Sequence, residues 1–325
     1  MIRKLQKNNK LLCTSRNYRE VIELAKIRGM NLVFVGKHGG SDKTGKLNAS
    51  LTRMHSLSSI VKKFNPELTV SFCSPEASRV SYGLGVKHIA FCDSPHAEAV
   101  MRLSVPLVQR LLIPWIIPKK EFTKYGISKE KISQYKAIDA SVIVKERSKS
   151  DSKYNFLLKK KKTILIRPEE SEAAYVSNNG HRVTKIIREI TKEFTNYNVV
   201  ILGRYLPQIS QLKREFGSRV TVLNKVVDGK NLLKFADVFI GSGGTMTAEA
   251  ALMGVPTISY DAVPNYIEQY LVKNGLVKRE KNSQKIVFLV KQILKSDNKK
   301  SRNKSKKILK SMKDPFSKLI THIRN

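Results

Sequence analysis

Hydrophobic and polar positions along this 325-residue chain switch repeatedly between two periods. Short runs of Val, Ile and Leu, apolar at every position, read as strands buried on both faces. The segments between them carry apolar residues at helical spacing with charged residues opposite. In the first half this pattern predicts strands at 10–14, 32–35, 68–72, 88–91, 111–117 and 141–144. Helices are predicted at 18–28, 47–63, 75–83, 96–109 and 122–125. In the second half, strands are expected at 163–166, 199–202, 220–223, 238–240 and 257–259. Helices are expected at 183–194, 208–216, 247–253 and 283–294, and one or two amphipathic helices near the C-terminus. Strand–helix alternation of this kind is the signature of parallel α/β layers.

Residues 145–162 interrupt the pattern with eight Lys/Arg and little periodicity. The expected organisation is therefore a domain over 1–150, a basic linker over 151–162, a domain over 163–296 and a basic helical tail over 297–325. Each domain is doubly wound and Rossmann-like, and the expected cleft lies where the carboxyl ends of the two sets of strands face one another.

Residues 238–261, VFIGSGGTMTAEAALMGVPTISYD, hold the densest chemical information. A short strand breaks into Gly241-Ser242-Gly243-Gly244-Thr245 and a helix follows at once. Unpaired amides at a helix start, with the positive end of the helix dipole behind them, seat a phosphate or diphosphate. Gly243 and Gly244 allow close approach to the main chain, and Ser242 and Thr245 add hydroxyls. Glu249, one turn further on, suits the two hydroxyls of a ribose. A glycine-rich turn without a ligand is the plainer alternative.

Charge enlarges the picture without deciding it. The 61 Lys+Arg against 26 Asp+Glu give a net charge of +35, which favours anionic substrates or an anionic membrane surface. Aromatics make up only 7% and do not interleave with basic residues, so nucleic acid is not indicated. Cys13, Cys73 and Cys92 are widely spaced and form no CxxC or Cys/His cluster, which argues against a disulfide framework or a zinc site. The N-terminus lacks the apolar core of a signal peptide, and the apolar stretch 111–118 is too short and proline-broken to span a bilayer. A cytoplasmic protein, at most peripheral to the inner membrane face, is expected. The segment 104–120, SVPLVQRLLIPWIIPKK, is read as core rather than as a membrane-docking patch.

The spacing SGGTMTAE, with Glu249 seven residues after Ser242 and with Gly254 and Pro256 beyond, resembles the nucleotide-sugar motif of the N-acetylglucosaminyltransferase of peptidoglycan synthesis. More of the chain resembles the largely archaeal domain of unknown function 354. The resemblance rests on 18–40, 66–95, 112–118, Ile166-Arg167-Pro168 followed by Tyr175, and 239–260. It implies two domains of the GT-B type and a nucleotide-sugar substrate. Lys225 falls where GT-B relatives hold the base through the main chain, and the terminal helix is expected to cross back onto the first domain. The family opens with a strand and a loop ahead of the helix in which this chain begins, so either the start is misassigned or the first domain lacks its first, central strand.

Arg167 and Arg204 each follow a strand and are candidates for neutralising a diphosphate. Asp261, after the strand at 257–259, is a candidate sugar contact. A general base for an acceptor hydroxyl is sought among Asp93, His96 and Glu76, with His38 in a glycine loop. Asp93 as a helix cap and His38 as a turn residue are the structural alternatives. The expected activity is glycosyl transfer from an NDP-sugar, UDP-linked by the resemblance, to an unknown hydroxyl acceptor, with a lipid-linked one among the candidates, and without a metal or other cofactor. Two other readings stand beside it. One is a non-hydrolysing UDP-N-acetylglucosamine 2-epimerase, against which count the lack of a histidine in Arg167-Pro168-Glu169-Glu170 and a Ser-to-Glu spacing one residue longer. The other is a truncated, non-catalytic protein binding nucleotide-sugars or an anionic surface.

Overall fold

The computed structural model describes residues 1–40, 42–146, 161–169, 181–260 and 263–324. The chain forms two compact units. Unit 1 comprises 1–137 and 313–325, and unit 2 comprises 138–312. Compactness thus divides the chain at Ala137/Ile138, earlier than the expected boundary at 150, and splits the basic tail. Helix Lys299–Ser311 belongs to unit 2, whereas helix Pro315–Arg324 belongs to unit 1. Most of the expected linker lies outside the described residues.

The early boundary follows from one misread element. The run Ser141-Val142-Ile143-Val144 has the β-branched composition of a strand, yet Ala140–Lys145 is a helix. Ala140 and Ser141 are buried on it, and the helix packs on helix Thr245–Met253 of unit 2. Tertiary packing overrides local propensity here.

Unit 1 contains strands β1 Thr14–Asn17, β2 Val33–Lys37, β3 Leu68–Ser71, β4 Lys87–Phe91, β5 Arg110–Pro114 and β6 Ile132–Tyr135. All pair in parallel, but in two sheets: β1 with β2, and β3-β4-β5-β6. Among the described residues, the parallel strands of unit 1 thus fall into two separate sheets rather than one. Burial agrees: β4 and β5 are almost wholly buried, whereas no residue of β1 or β3 is. The sequence placed β1 four residues too early and missed β6. The apolar stretch after Arg110 is core, with Leu111, Leu112, Ile113 and Ile117 fully buried.

Unit 2 carries β7 Thr163–Arg167, β8 Asn198–Leu202, β9 Thr221–Leu223, β10 Val238–Gly241, β11 Thr257–Ser259 and β12 Val277–Arg279. These form one parallel sheet in the order β12-β11-β10-β7-β8-β9. The central strands β7, β8 and β10 are apolar over most of their length because both faces are covered. Ile164, Ile166 and Ile240 face helices His181–Glu193 and Ser283–Lys295. Leu165, Val200 and Phe239 face helices Gly229–Leu233 and Thr245–Met253. After β7 the chain builds outward through β8 and β9, then returns to lay β10 on the other side of β7. The carboxyl ends of β7 and β10 therefore flank the point where strand order reverses, which is where open α/β sheets bind ligands. Among the described residues, no helix is long and apolar enough to cross a membrane.

Candidate functional site

At that reversal point β10 ends in Gly241, whose register partner on β7 is Arg167. The chain then turns through Gly243 at φ +86° and Gly244 at φ +78°, ψ −169°, into helix Thr245–Met253. A residue with a Cβ rarely adopts these angles. Gly241 is constrained by space instead: a Cβ there would lie 2.6 Å from the Phe239 ring and 2.8 Å from the Thr247 hydroxyl. No side chain caps the helix, and Gly244 and Thr245 are exposed. Thr247 turns its hydroxyl inward to donate to the Gly243 carbonyl at 2.9 Å. Ser242, Gly243, Gly244 and Thr245 thus form the open helix start that the sequence indicated. Its far end is fixed by Gly254, at φ +80°, where a Cβ would come within 3.2 Å of the Arg302 Cα.

Glu249 lies in the same helix and is buried. A Cβ on Gly229 would sit 3.8 Å from its Oε2, which places Glu249 against the start of helix Gly229–Leu233. Lys225 lies in the loop between β9 and that helix and is exposed. The glycine turn and Glu249 thus share one helix, and Glu249 meets the start of the short helix into which the loop of Lys225 leads.

The two arginines are more anchored than expected. Arg167 donates from Nη1 to the carbonyls of Leu202 at 2.8 Å and Gly203 at 2.7 Å. Arg204 donates from Nε to the Pro168 carbonyl at 3.1 Å. Both cross the ends of β7 and β8 and rigidify the rim that carries their charge. Asp261 lies outside the described residues.

Two residues that sequence reasoning passed over complete this rim. Glu169, two positions beyond β7, is 9% exposed, and Tyr260, just after β11, is fully buried. The Tyr260 hydroxyl donates to Glu169 Oε2 at 2.6 Å, and the Tyr260 amide donates to the Gly241 carbonyl at 2.8 Å. Burial first, and the Glu169 carboxylate second, push the Tyr260 phenol well above its ordinary range. It stays a neutral donor.

In unit 1, Asp93 and His96 follow β4. The Ser94 hydroxyl donates to Asp93 Oδ1 at 2.7 Å. Burial lowers the His96 pKa and the Asp93 charge raises it in part, with a net lowering, so the imidazole is neutral at pH 7. Asp93 caps no helix, because the following helix starts later, at Glu98, behind Ala97. Glu76 is differently placed. It is 2% exposed and accepts from Arg16 at 2.6 Å, Ser50 at 3.0 Å and Ser74 at 3.0 Å. Burial would raise its pKa, but the Arg16 charge and the hydrogen bonds outweigh burial and hold it below the ordinary value. A closed ion tying β1 to the helix after β3 is a brace, so Asp93 and His96 remain the base candidates. The His38 ring accepts from the Gly40 amide at 3.2 Å, as a turn residue does. Among the described residues no cluster of His, Cys, Asp and Glu is arranged to hold a metal.

Comparison with known proteins bears on the fold and the family. The chain is 27% identical over 308 residues to the uncharacterized protein MJ0665 of Methanocaldococcus jannaschii, covering 89% of this chain and 85% of that one. Its fold is similar to that of S. aureus MnaA, solved with UDP, at a TM-score of 0.75 and 14% identity, covering 99% of this chain and 91% of MnaA. It is also similar to the UDP-GlcNAc 2-epimerase of Neisseria meningitidis, solved with UDP-GlcNAc, at 0.73 and 17%, covering 100% and 95%. The glycotransferase of kitacinnamycin shares the fold as well, at 0.55 and 14%, covering 95% and 89%, so the architecture is of the GT-B type. The match to the family described as "Protein of unknown function (DUF354)" runs over residues 1–325, and the chain belongs to that family.

Proposed function

We propose that this protein binds a nucleoside diphosphate sugar on the glycine turn of unit 2 and transfers the sugar to a hydroxyl acceptor. The observation that carries this reading is the uncapped start of helix Thr245–Met253, presented by two left-handed glycines at the strand-order reversal. In this reading the amides of that first turn take the diphosphate and absorb the charge it gains on leaving. Arg167 and Arg204 add positive field from the rim, Glu249 takes the ribose hydroxyls, and the backbone beside Lys225 takes the base. These groups supply the electrostatic stabilisation without a metal ion. His96, neutral beside Asp93, is the unit 1 group suited to accept a hydroxyl proton. The fold relatives support the ligand class, since UDP or UDP-GlcNAc is bound in them.

A second reading, 2-epimerisation of UDP-GlcNAc, is favoured by the kinship of fold to such enzymes. It is disfavoured by the absence of a histidine from the segment Arg167-Pro168-Glu169-Glu170. One experiment separates the two. The protein is incubated in EDTA with UDP-GlcNAc, with and without crude lipid and glycan acceptors. Acceptor-dependent release of UDP supports transfer, and acceptor-independent appearance of the C2 epimer supports epimerisation. Failure of UDP and a panel of UDP-sugars to raise the melting temperature of the folded protein refutes both.

A further inference from the structure

The rim of unit 2 holds a carboxylate that the diphosphate site does not need. Glu169 is nine-tenths buried, yet only one of its oxygens is satisfied: Oε2 takes the Tyr260 hydroxyl, while Oε1 has no hydrogen-bond partner among the described residues. A buried carboxylate oxygen left without a donor is costly, and such groups call for an explanation. The surroundings show that the oxygen is held in place. Tyr260 is tied by its amide to Gly241, its ring sits in the core with Ile166, Ile240 and Ile258, and its phenol is kept protonated. Pro168, immediately before Glu169, is tied through its carbonyl to Arg204. The carboxylate is thus braced on the β7 side of the strand-order reversal, opposite the glycine turn on the β10 side.

We infer that Glu169 Oε1 accepts a hydrogen bond from the sugar of the bound nucleoside diphosphate sugar, making Glu169 a specificity residue of this site. The inference rests on the proposed diphosphate site. A carboxylate beside a diphosphate repels it, so its partner must be a neutral donor set off from the phosphates. The sugar beyond them offers hydroxyls or an amide N–H. The nucleotide's own donors are the ribose hydroxyls and the base N–H, which the proposed site gives to Glu249 and to the backbone beside Lys225. A site built to accept from a particular group discriminates strongly against ligands that lack it.

The test is calorimetric titration of wild type, Glu169→Gln and Tyr260→Phe with UDP and with UDP-GlcNAc, together with ligand-free melting. Glu169→Gln keeps an acceptor for Tyr260 but places an amide donor where Oε1 stands. It is expected to weaken UDP-GlcNAc about tenfold to a hundredfold, the effect of losing a hydrogen bond to a charged group, while changing UDP by less than about twofold. Its ligand-free melting temperature is expected to be unchanged or higher, because a buried charge is removed. Tyr260→Phe leaves the carboxylate unbraced and is expected to weaken UDP-GlcNAc severalfold while sparing UDP, which keeps the inference testable if the first variant folds poorly. Equal weakening of both ligands puts the donor on the nucleotide and overturns the inference. So does unchanged affinity, with or without lost stability, since Glu169 would then be purely structural. If wild type binds neither ligand, the diphosphate site itself fails and this inference fails with it; binding of UDP with no Glu169 effect overturns this inference alone.

Discussion

Replacing Gly244 with Ala separates backbone geometry from space at the helix start. A Cβ at Gly244 would meet nothing within 4 Å, so no clash opposes the methyl group. The opposition comes from φ +78°, ψ −169°, a region almost reserved for glycine, where another residue costs about 1–3 kcal/mol. Unit 2 spans 138–312, a size at which about 1 kcal/mol moves the melting temperature by roughly 2–4 °C. If the turn holds, the ligand-free variant melts roughly 2–12 °C lower. If instead the turn relaxes, stability is kept but the first-turn amides swing away and ligand stabilisation is lost. For wild type at a hundred times Kd, that stabilisation is about 2.7 kcal/mol, or roughly 5–11 °C. The assay is a melting curve of both proteins with and without UDP-GlcNAc. The strain must appear in one column or the other. A variant with both the wild-type melting temperature and the wild-type ligand shift refutes the claim that left-handed glycines present the amides.

Two further outcomes concern unit 1. His88 is fully buried on β4, and burial lowers its pKa to about 4 from an ordinary 6.5. As pH falls, the unfolded chain takes up the proton first, so this contribution is complete above pH 6.5 and is lost between 6.5 and 4. Its ceiling is about 3 kcal/mol. Urea unfolding from pH 7.5 to 4.5 is expected to show a steeper loss in wild type than in His88→Asn; parallel curves would count against the burial argument. Amide hydrogen exchange is expected to be faster in β1 and β3 than in β4 and β5. The first pair are half-buried strands with one free edge each, whereas β4 and β5 are paired on both sides. Uniform protection across the six strands would show that the split sheet is closed in solution.

What the sequence disclosed tracks the range of the interactions concerned. The strands of unit 2 were legible because residues buried on both faces are apolar at consecutive positions, a local signal. The glycine turn was legible for a related reason, since positive φ at Gly243 and Gly244 forces the residue type. Elements whose identity is set by distant partners were not. Residues 140–145 look like a strand and are a helix because helix Thr245–Met253 packs against them. The short strand Val277–Arg279 escaped notice because two of its three residues are exposed, leaving almost no apolar run to read. Glu76 carried the look of a base at a strand end, and only the reach of Arg16, sixty residues away in sequence, turns it into a brace.

Glu169 is the same effect with the sign reversed. In the sequence it is one of two adjacent acidic residues in a loop after a strand, where solvation is the ordinary fate of a carboxylate. Its burial is decided by Tyr260, 91 residues further on, whose ring crosses the end of β10 to reach it. Tyr260 in turn reads as the apolar end of a strand, with nothing in its neighbours to say where the hydroxyl points. A pair of this kind is written into the chain only through the strand order β11-β10-β7, which places residues after the first and the fifth strands of the unit within one strand of each other. The glycine turn on β10 is the element between them. The position of this carboxylate beyond β7 therefore depends on the sheet order and on no local motif.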